Sequence, residues 1–459
     1  MVDPELFERY QKALSTNADL AKKAVEELLT HLEDLTPLEQ AEYLLANYPK
    51  LVRAYGKVAA DVARQFYQEQ RDQHFEGDDE ASEYTAQTAA PIQESWAYED
   101  VQKVASDGLG YLPKVAVRRV MQRADQTIAY NVGHDTARPR WAIVPHMGAC
   151  GWCVMVASNG WAYSERSVNA QRHDGCKCSV AVDFDRDKPE LVGYDVDALR
   201  RQYALGVEEA GDTMAQWNAL TDDEKAKYRR KGRSAYDVFR TQQIAKAMSA
   251  RMKRDELDAH MFELARADAK SHFSAEGARV LADAFNASMS AHRSWFLKQV
   301  TQERYDEAIG SFLADIGRVY GMDIGGEFAF GSKLYSALPD GDEIWALTRM
   351  GEIFETAQFL STDRRRRKGN PDLLADGEYV DIKTLKVVEK TEERLHKGYT
   401  QCRNRGQDHG VVLLSALRLN PEDDRFLRFA NTTVNRKNRR GQPLHVYAIH
   451  GDSSIDELR

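Results

Sequence analysis

Long hydrophobic runs are missing from this sequence: nothing in its 459 residues approaches the ~20 consecutive apolar residues of a membrane-spanning helix. A signal-peptide pattern is missing too, because the first residues, MVDPELFERYQKAL, are amphipathic and begin acidic. Such a protein is expected to stay where it is made or to leave by a route that needs no such signal. Cysteine is scarce and unevenly placed. Of five cysteines, Cys150, Cys153, Cys176 and Cys178 fall within 29 residues, and Cys402 stands alone. A secreted disulfide scaffold spreads its bridges, so this clustering points to a local metal site or a small redox cluster. No internal repeat is visible. The rest is ordinary for a globular protein: 42% hydrophobic and 29% charged residues, in a length suited to two to four domains.

The net charge of -9 is divided unequally. From Tyr335 onward there are 21 Lys/Arg and 20 Asp/Glu, a net of +1, which leaves -10 for the residues before it. A relatively basic segment in an acidic chain is a weak pointer to a polyanionic partner and does not by itself identify nucleic acid.

Apolar spacing in AEYLLANYPKLVRAYGKVAADVARQFYQEQR predicts helices over 4–75, and helical patterning returns at 93–107 and 113–130. Between them EGDDEASEYTAQ (76–87) reads as an exposed loop. The period changes at Arg138. WAIVPH, VMVAS and GWAYSE are short, β-branched or aromatic and broken by Gly and Pro, which predicts strands and turns in a small module ending near Asp185. Residues 194–320 are helical and charged again and read as a solvated spacer or docking arm. The stretch YGMDIGGEFAFGSK (320–333) reads as a linker. Then LPDGDEIWALTRMGEIFETAQFLS reads as one helix, PDLLADG and EYVDIKTL as strands, 391–404 as a helix, and GVVLLSALRL and PLHVYAIH as strands. The expected architecture is multidomain. A mainly α segment, 1–190, carries the β-rich Cys module at 138–185. A helical spacer and linker, 191–334, leads to a C-terminal α/β domain at 335–459.

In the module, Cys150-Gly-Trp-Cys153 is followed by His173-Asp-Gly-Cys176-Lys-Cys178. A CxxC turn sets two thiolates on one side of a loop, and a second pair closes the tetrahedron that zinc prefers. Four cysteines, or three with His173, fit a structural Zn²⁺; a disulfide and free thiols are the alternatives. Four thiolates would leave no open position for water, so a catalytic zinc is not expected. The segment from Trp141 to Phe184 resembles the signature of MuF-like minor capsid, head morphogenesis proteins of tailed phages: CxxC, then Ala157-Ser158-Asn159-Gly160-Trp161-Ala162-Tyr163, then His173/Cys176/Cys178. The resemblance covers about residues 1–190. It implies a structural role inside the virion head, with portal or capsid proteins as partners, and no chemistry for this half.

The C-terminal segment gathers Asn370-Pro371-Asp372, the turn Asp376-Gly377, and Asp381-Ile382-Lys383. Asp-Gly between alternating apolar runs predicts a hairpin. Asp381 and Lys383, two apart on a strand, share one face, while Val380 and Ile382 take the other. Two carboxylates and an amine suit metal-assisted phosphodiester hydrolysis: oxygen ligands for Mg²⁺ or Mn²⁺, and a cation to orient water and offset negative charge. Pro-Asp, eight residues, Asp-x-Lys resembles the PD-(D/E)xK nuclease superfamily, which adds a glutamate from a preceding helix. Glu352 and Glu355 are available. In the tRNA nuclease domains of contact-dependent growth inhibition toxins, which 338–459 resembles most, that glutamate falls shortly before an alanine. Glu355-Thr-Ala357 matches this pattern, which favours Glu355 and leaves Glu352 as the alternative.

Arg364, Arg365, Arg366, Arg367 and Lys368, with NRKNRRG at 435–441, are candidate phosphate contacts. Lys397 and Gln401, four apart on one helix face, are candidates to approach the site, and packing is an equal alternative. The combined expectation is a phage minor head protein carrying a metal-dependent nuclease effector, with tRNA favoured over DNA. Packaged in the head, it would reach the host cytoplasm with the genome, and a cognate immunity protein is a possible partner. The rival expectation is a purely structural head protein whose C-terminal domain binds the portal or packaged DNA without cutting.

Overall fold

The structure is a computed structural model that describes residues 1–78, 83–90, 95–146, 148–162, 172–230, 232–271, 273–296, 302–326, 328, 335–336, 338–360, 362–363 and 370–459. The chain divides into two compact units, Met1–Glu208 with Leu220–Ser249, and Glu209–Ala219 with Ala250–Arg459.

The first unit begins with helices α1 (Pro4–Thr30) and α2 (Pro37–His74). Both start on side-chain caps. Asp3 accepts from Glu5 and Leu6, and Thr36 forms a reciprocal capping box with Glu39. Helices α3 (Ser95–Asp107) and α4 (Leu112–His134) follow. The core, with Phe66, Tyr67, Met121 and Ile128, runs on under Trp141 and Val180. Strands β1 (Arg140–Val144) and β2 (Ser179–Asp183) pair antiparallel, and the short helix α5 (Gly151–Ala157) lies between them in sequence. VMVAS was expected as a strand and is part of α5. Its Val154 and Val156 are buried, and tertiary packing outweighs their β preference. GWAYSE lies partly outside the described residues, and its Trp161 and Ala162 are not in a strand. The expected exposed loop is anchored in part: Ala86 N–H donates to Gln68, and Gln87 exchanges backbone bonds with the Asn131 amide.

Residues 194–320 are helical as expected: α6 (Val196–Ala210), α7 (Thr213–Asn218), α8 (Asp222–Ala226), α9 (Ala235–Lys270), α10 (Ala275–Phe296) and α11 (Gln302–Tyr320). They are not a spacer. Phe285, Leu281, Ile309 and Leu313 of α10 and α11 share one core with Ile344, Trp345, Leu373 and Leu413 of the C-terminal segment. The proposed linker is not a linker either. Its Asp323–Gly326 form β3, the edge of a seven-stranded mixed sheet, and Met322 and Ile324 are buried there.

The single long helix expected after Leu338 stops early. It is α12 (Gly341–Thr348), followed by turns and then a strand. Along 354–359 the burial alternates, with Phe354, Ala357 and Phe359 inside, which is the period of a strand and not of a helix. The remaining elements are β4 (Tyr335–Ser336), β5 (Thr356–Phe359), β6 (Thr362–Asp363), β7 (Leu373–Ala375), β8 (Glu378–Thr384), α13 (Thr391–Arg403), β9 (Gly410–Ser415), α14 (Arg425–Arg439), β10 (Leu444–Ile449) and β11 (Ile455–Leu458). The sheet order is β11-β10-β9-β8-β7-β5-β3, and β4 pairs with β6 apart from it. β8, β9 and β10 are mutually parallel, with α13 and α14 as their crossovers, while β5, β7 and β8 meander antiparallel. The hairpin is as expected: Asp376 and Gly377 both have positive φ (46° and 88°), the geometry of a two-residue turn that matches strand twist.

Because α10, α11 and β3 belong to the C-terminal core, a chain starting at residue 335 leaves Ile344, Trp345 and Leu373 uncovered. Each is worth about 1.5–3 kcal/mol of burial. Circular dichroism and urea titration are expected to show cooperative unfolding for 209–459 and none for 335–459.

Candidate functional site

Two clusters of chemistry-bearing side chains stand out, one in each unit.

In the first unit, α5 begins between Cys150 and Cys153. Gly151 sits where a Cβ would fall 2.5 Å from the Ala245 carbonyl, so only glycine lets α9 lie this close. Its N–H donates to Ser249 Oγ at 2.9 Å. Cys176 and Cys178 come from the approach to β2. All five cysteines are thiols. Sγ–Sγ distances are 3.8 Å for Cys150–Cys153 and 3.6 Å for Cys153–Cys176. Zn–S bonds of about 2.3 Å at tetrahedral angles place sulfurs about 3.8 Å apart, which these distances match. His173 Nε2 lies 3.2 Å from Cys150 Sγ and 3.0 Å from Cys153 Sγ. Its Nδ1 is 2.9 Å from the Asp174 carbonyl, which fixes Nε2 as the ligand nitrogen. Cys150, Cys153 and His173 form one ligand group, and Cys153, Cys176 and Cys178 another.

The cluster is electrostatically tense. The hydrogen bond shared with Cys153 lowers the Cys150 thiol to about 4, and bonds to Cys150 and Cys176 raise His173 to about 10. Thiols packed this closely share protons and need a cation to ionise together, as Zn²⁺ provides. The cluster can therefore bind a metal such as zinc. His146, missed in the sequence, lies 3.6 Å from Cys178. Its position four residues before Cys150 was the available signal.

In the second unit, β8 turns Val380 and Ile382 into one core and Asp381 and Lys383 away from it, as alternation requires. Asp381 has no exposure and Lys383 only 9%. Lys383 Nζ is 2.5 Å from Asp381 Oδ2 and 3.4 Å from Asp372 Oδ2. Asp372, at the mouth of β7, also accepts from the Ile382 N–H at 2.7 Å. Gln401 on α13 brings its side-chain amide to 2.8 Å from Asp381 Oδ2, and its surroundings are satisfied when the nitrogen is assigned toward the carboxylate. Gly398 makes that approach possible. A Cβ there would lie 2.6 Å from Val412 Cγ2 and 2.9 Å from Asp381 Oδ2.

Neither sequence-favoured glutamate joins this group. Glu355 is exposed, and its N–H donates to Asp376 at the turn end of the hairpin. Asp372 is four residues along the strand from Asp376, roughly 13 Å away. Glu352 is exposed in the turn after α12. Both were placed by a helix that ends at Thr348. The carboxylate that feels Asp372 and Lys383 is Glu343, in the first turn of α12. Its backbone N–H donates to the Asp340 carboxylate at 2.9 Å, and its own carboxylate accepts from the Asp340 N–H at 3.0 Å. The Asp-x-x-Glu capping box was the legible signal.

Burial pushes Asp381 and Glu343 well above the carboxylate range, and Asp372 adds to both. Burial opposes the charge of Lys383, but Asp372 and Asp381 outweigh it and raise its pKa, so it stays an ammonium. Asp372 and Asp381 meet one ammonium, and Glu343 feels the charge of Asp372 and Lys383. Lys397 is exposed, and the carboxylate that feels it is Glu393, so it stays outside the group. The run Arg364–Lys368 lies outside the described residues.

Residues 1–205 match the family model described as VG15 protein. That match suggests a phage protein and is compatible with a head component; it ends before the unit that holds Asp381. No curated protein and no solved structure matches the chain.

Two outcomes follow from the cluster chemistry. Metal analysis of the purified chain is expected to find about one zinc, as a four-ligand site holds, and Cys176→Ser is expected to lose it. For the acidic cluster, the raised carboxyl groups of Asp381 and Glu343 set a pH dependence of stability. The folded state holds protons that the unfolded chain releases near 3.9 to 4.3, so stability falls as pH climbs from there to the raised folded values. Thermal melts across pH read that slope.

Proposed function

We propose that this protein is a phage head component whose C-terminal unit is a metal-dependent nuclease, with tRNA favoured over DNA as substrate. The observation that carries the reading is the convergence of Asp372, Asp381 and Lys383, from both arms of one hairpin, with Glu343 and Gln401 brought in from two helices. The head assignment draws on the phage-type match over residues 1–205 and on the Cys/His motif. The preference for tRNA rests on the resemblance of 338–459 to toxin tRNA nucleases, in which a glutamine-bearing helix also precedes a hydrophobic strand. An immunity partner and delivery into the host cytoplasm belong to the same reading.

Asp372, Asp381 and Glu343 are the residues that would hold Mg²⁺ or Mn²⁺, which supplies an activated water and stabilises charge on phosphoryl oxygens. Lys383 is the fixed cation. As an ammonium it donates to a water or a phosphoryl oxygen and offsets charge as the attack develops. Gln401 holds Asp381 in one orientation, so the carboxylate meets substrate pre-arranged. Gly398 keeps the roofing helix close enough for Gln401 to do so.

A structural reading draws on one observation: Asp381 and Lys383 are almost completely enclosed, as an ion pair that only supports packing would be. The two readings separate in an assay of the full chain on total tRNA and duplex DNA with Mg²⁺ or Mn²⁺. Cleavage is expected to need metal and to fall at least about a hundredfold in Asp381→Asn and Lys383→Ala, the scale of losing an electrostatic donor. Glu355→Gln is expected to cleave like the parent. Metal-independent cutting, or no cutting of either nucleic acid, would end the nuclease reading. Gly398→Ala is expected to cost about 1–3 kcal/mol from overpacking and to reduce cleavage in the surviving folded fraction.

A further inference from the structure

Helix α14 carries Arg425, Arg428, Arg436, Lys437 and Arg439, with Arg440 following, and no acidic residue between Arg425 and Arg440. Its two ends differ. At the N-terminal end the charges are answered: Arg425 meets Asp423 at 2.6 Å and Glu389 at 3.6 Å, and Arg428 meets Asp424 at 3.8 Å. At the C-terminal end Arg436 meets Glu392, and Lys437 Nζ sits 3.9 Å from the Tyr399 ring. Arg439 and Arg440 are exposed, and among the described residues neither has an acidic partner. A favourable helix dipole asks for a cation in the last turn, at about 0.3–1 kcal/mol. It does not ask for four cations in five residues. Burial together with Arg436 and Arg440 lowers the pKa of Lys437, so the cluster repels itself. The fold gains little from this arrangement, and a polyanion would relieve it.

The cluster also has a position. Tyr399, which Lys437 contacts, is next in sequence to Gly398, and Gly398 lies against Asp381. Helices α13 and α14 pack side by side, and α13 is the helix that carries Gly398 and Gln401. The neighbouring exposed side chains are Asn435, Thr432 and Phe429. Amide and hydroxyl donors mixed with arginine suit a sugar–phosphate backbone.

The geometry points to the C-terminal turn of α14, with Arg439 and Arg440, as a phosphate-binding surface. It grips the nucleic-acid backbone without reading bases. The inference rests on the nuclease reading and can fail apart from it.

The test uses the full chain in EDTA, with fluorescently labelled tRNA and single-stranded DNA as probes, titrated over a range of salt. For R439E/R440E, affinity for both probes is expected to fall at least about tenfold. The slope of log affinity against log salt is expected to flatten by about 1–2, the loss of one or two phosphate contacts. R266E/R318E, which reverses two arginines elsewhere in the same unit, is expected to change binding by less than about threefold, the effect of net charge alone. An unchanged affinity and salt slope in R439E/R440E overturns the surface assignment even where the parent cleaves. An equal loss in R266E/R318E overturns it as well. Weakened binding in R439E/R440E alongside a parent that cuts nothing sustains the surface and removes the nuclease.

Discussion

Asp381 is a carboxylate with no solvent exposure, and the C-terminal unit is built around making that tolerable. Taking a carboxylate out of water costs several kcal/mol unless it is paired and hydrogen-bonded. The pairing comes from Lys383 on the same strand, and the hydrogen bond from Gln401 on the roofing helix. Yet the compensation is incomplete, because Asp372 and Glu343 press the same region and a single ammonium faces three acids. A domain selected for stability alone has no reason to gather this charge. Functional sites characteristically do, at the expense of local stability.

The surrounding fold follows from that constraint. β7 is only three residues long, and Asp372 directly precedes it, with its carbonyl accepting from the Leu360 N–H. α12 begins on a capping box whose glutamate is also a member of the cluster, so the same side chain closes a helix end and supplies charge. Gly398 removes the one side chain that would hold α13 off the sheet. In the first unit the same logic recurs with softer donors. Gly151 lets a helix settle against the start of α5, and thiols with an imidazole crowd to distances that suit a tetrahedral metal.

Local chemistry was legible in the sequence where it depends on neighbours a few residues apart. The Asp376-Gly377 turn, the shared face of Asp381 and Lys383, the α13 helix and the CxxC start are all of that kind. What escaped depends on where the chain stops being helical and on partners far away in sequence. The segment after Leu338 has helical spacing up to Thr348 and strand spacing beyond Phe354. Extending the helix carried Glu352 and Glu355 to a site they do not reach and hid Glu343. The charged stretch 194–320 looked solvated because its helices carry many ionic residues. Its buried stripe, with Leu281, Phe285, Ile309 and Leu313, meets a sheet whose strands other than β3 come more than 30 residues later. Glycines at 325 and 326 read as a linker, whereas they line an edge strand where larger residues would strike Gln358 and Phe359.

The two units bring different chemistries into one chain: a thiol-rich cluster that could bind a metal such as zinc, and an acid-rich one enclosed beside a single ammonium. Whether Asp372 and Asp381 hold a divalent cation is read by anomalous diffraction from crystals of the protein soaked in Mn²⁺. A peak is expected at about 2.0–2.6 Å from carboxylate oxygens of Asp372 and Asp381, with Lys383 displaced from its bridge between them. A map without density there, and with Lys383 still bridging the two aspartates, would contradict the account.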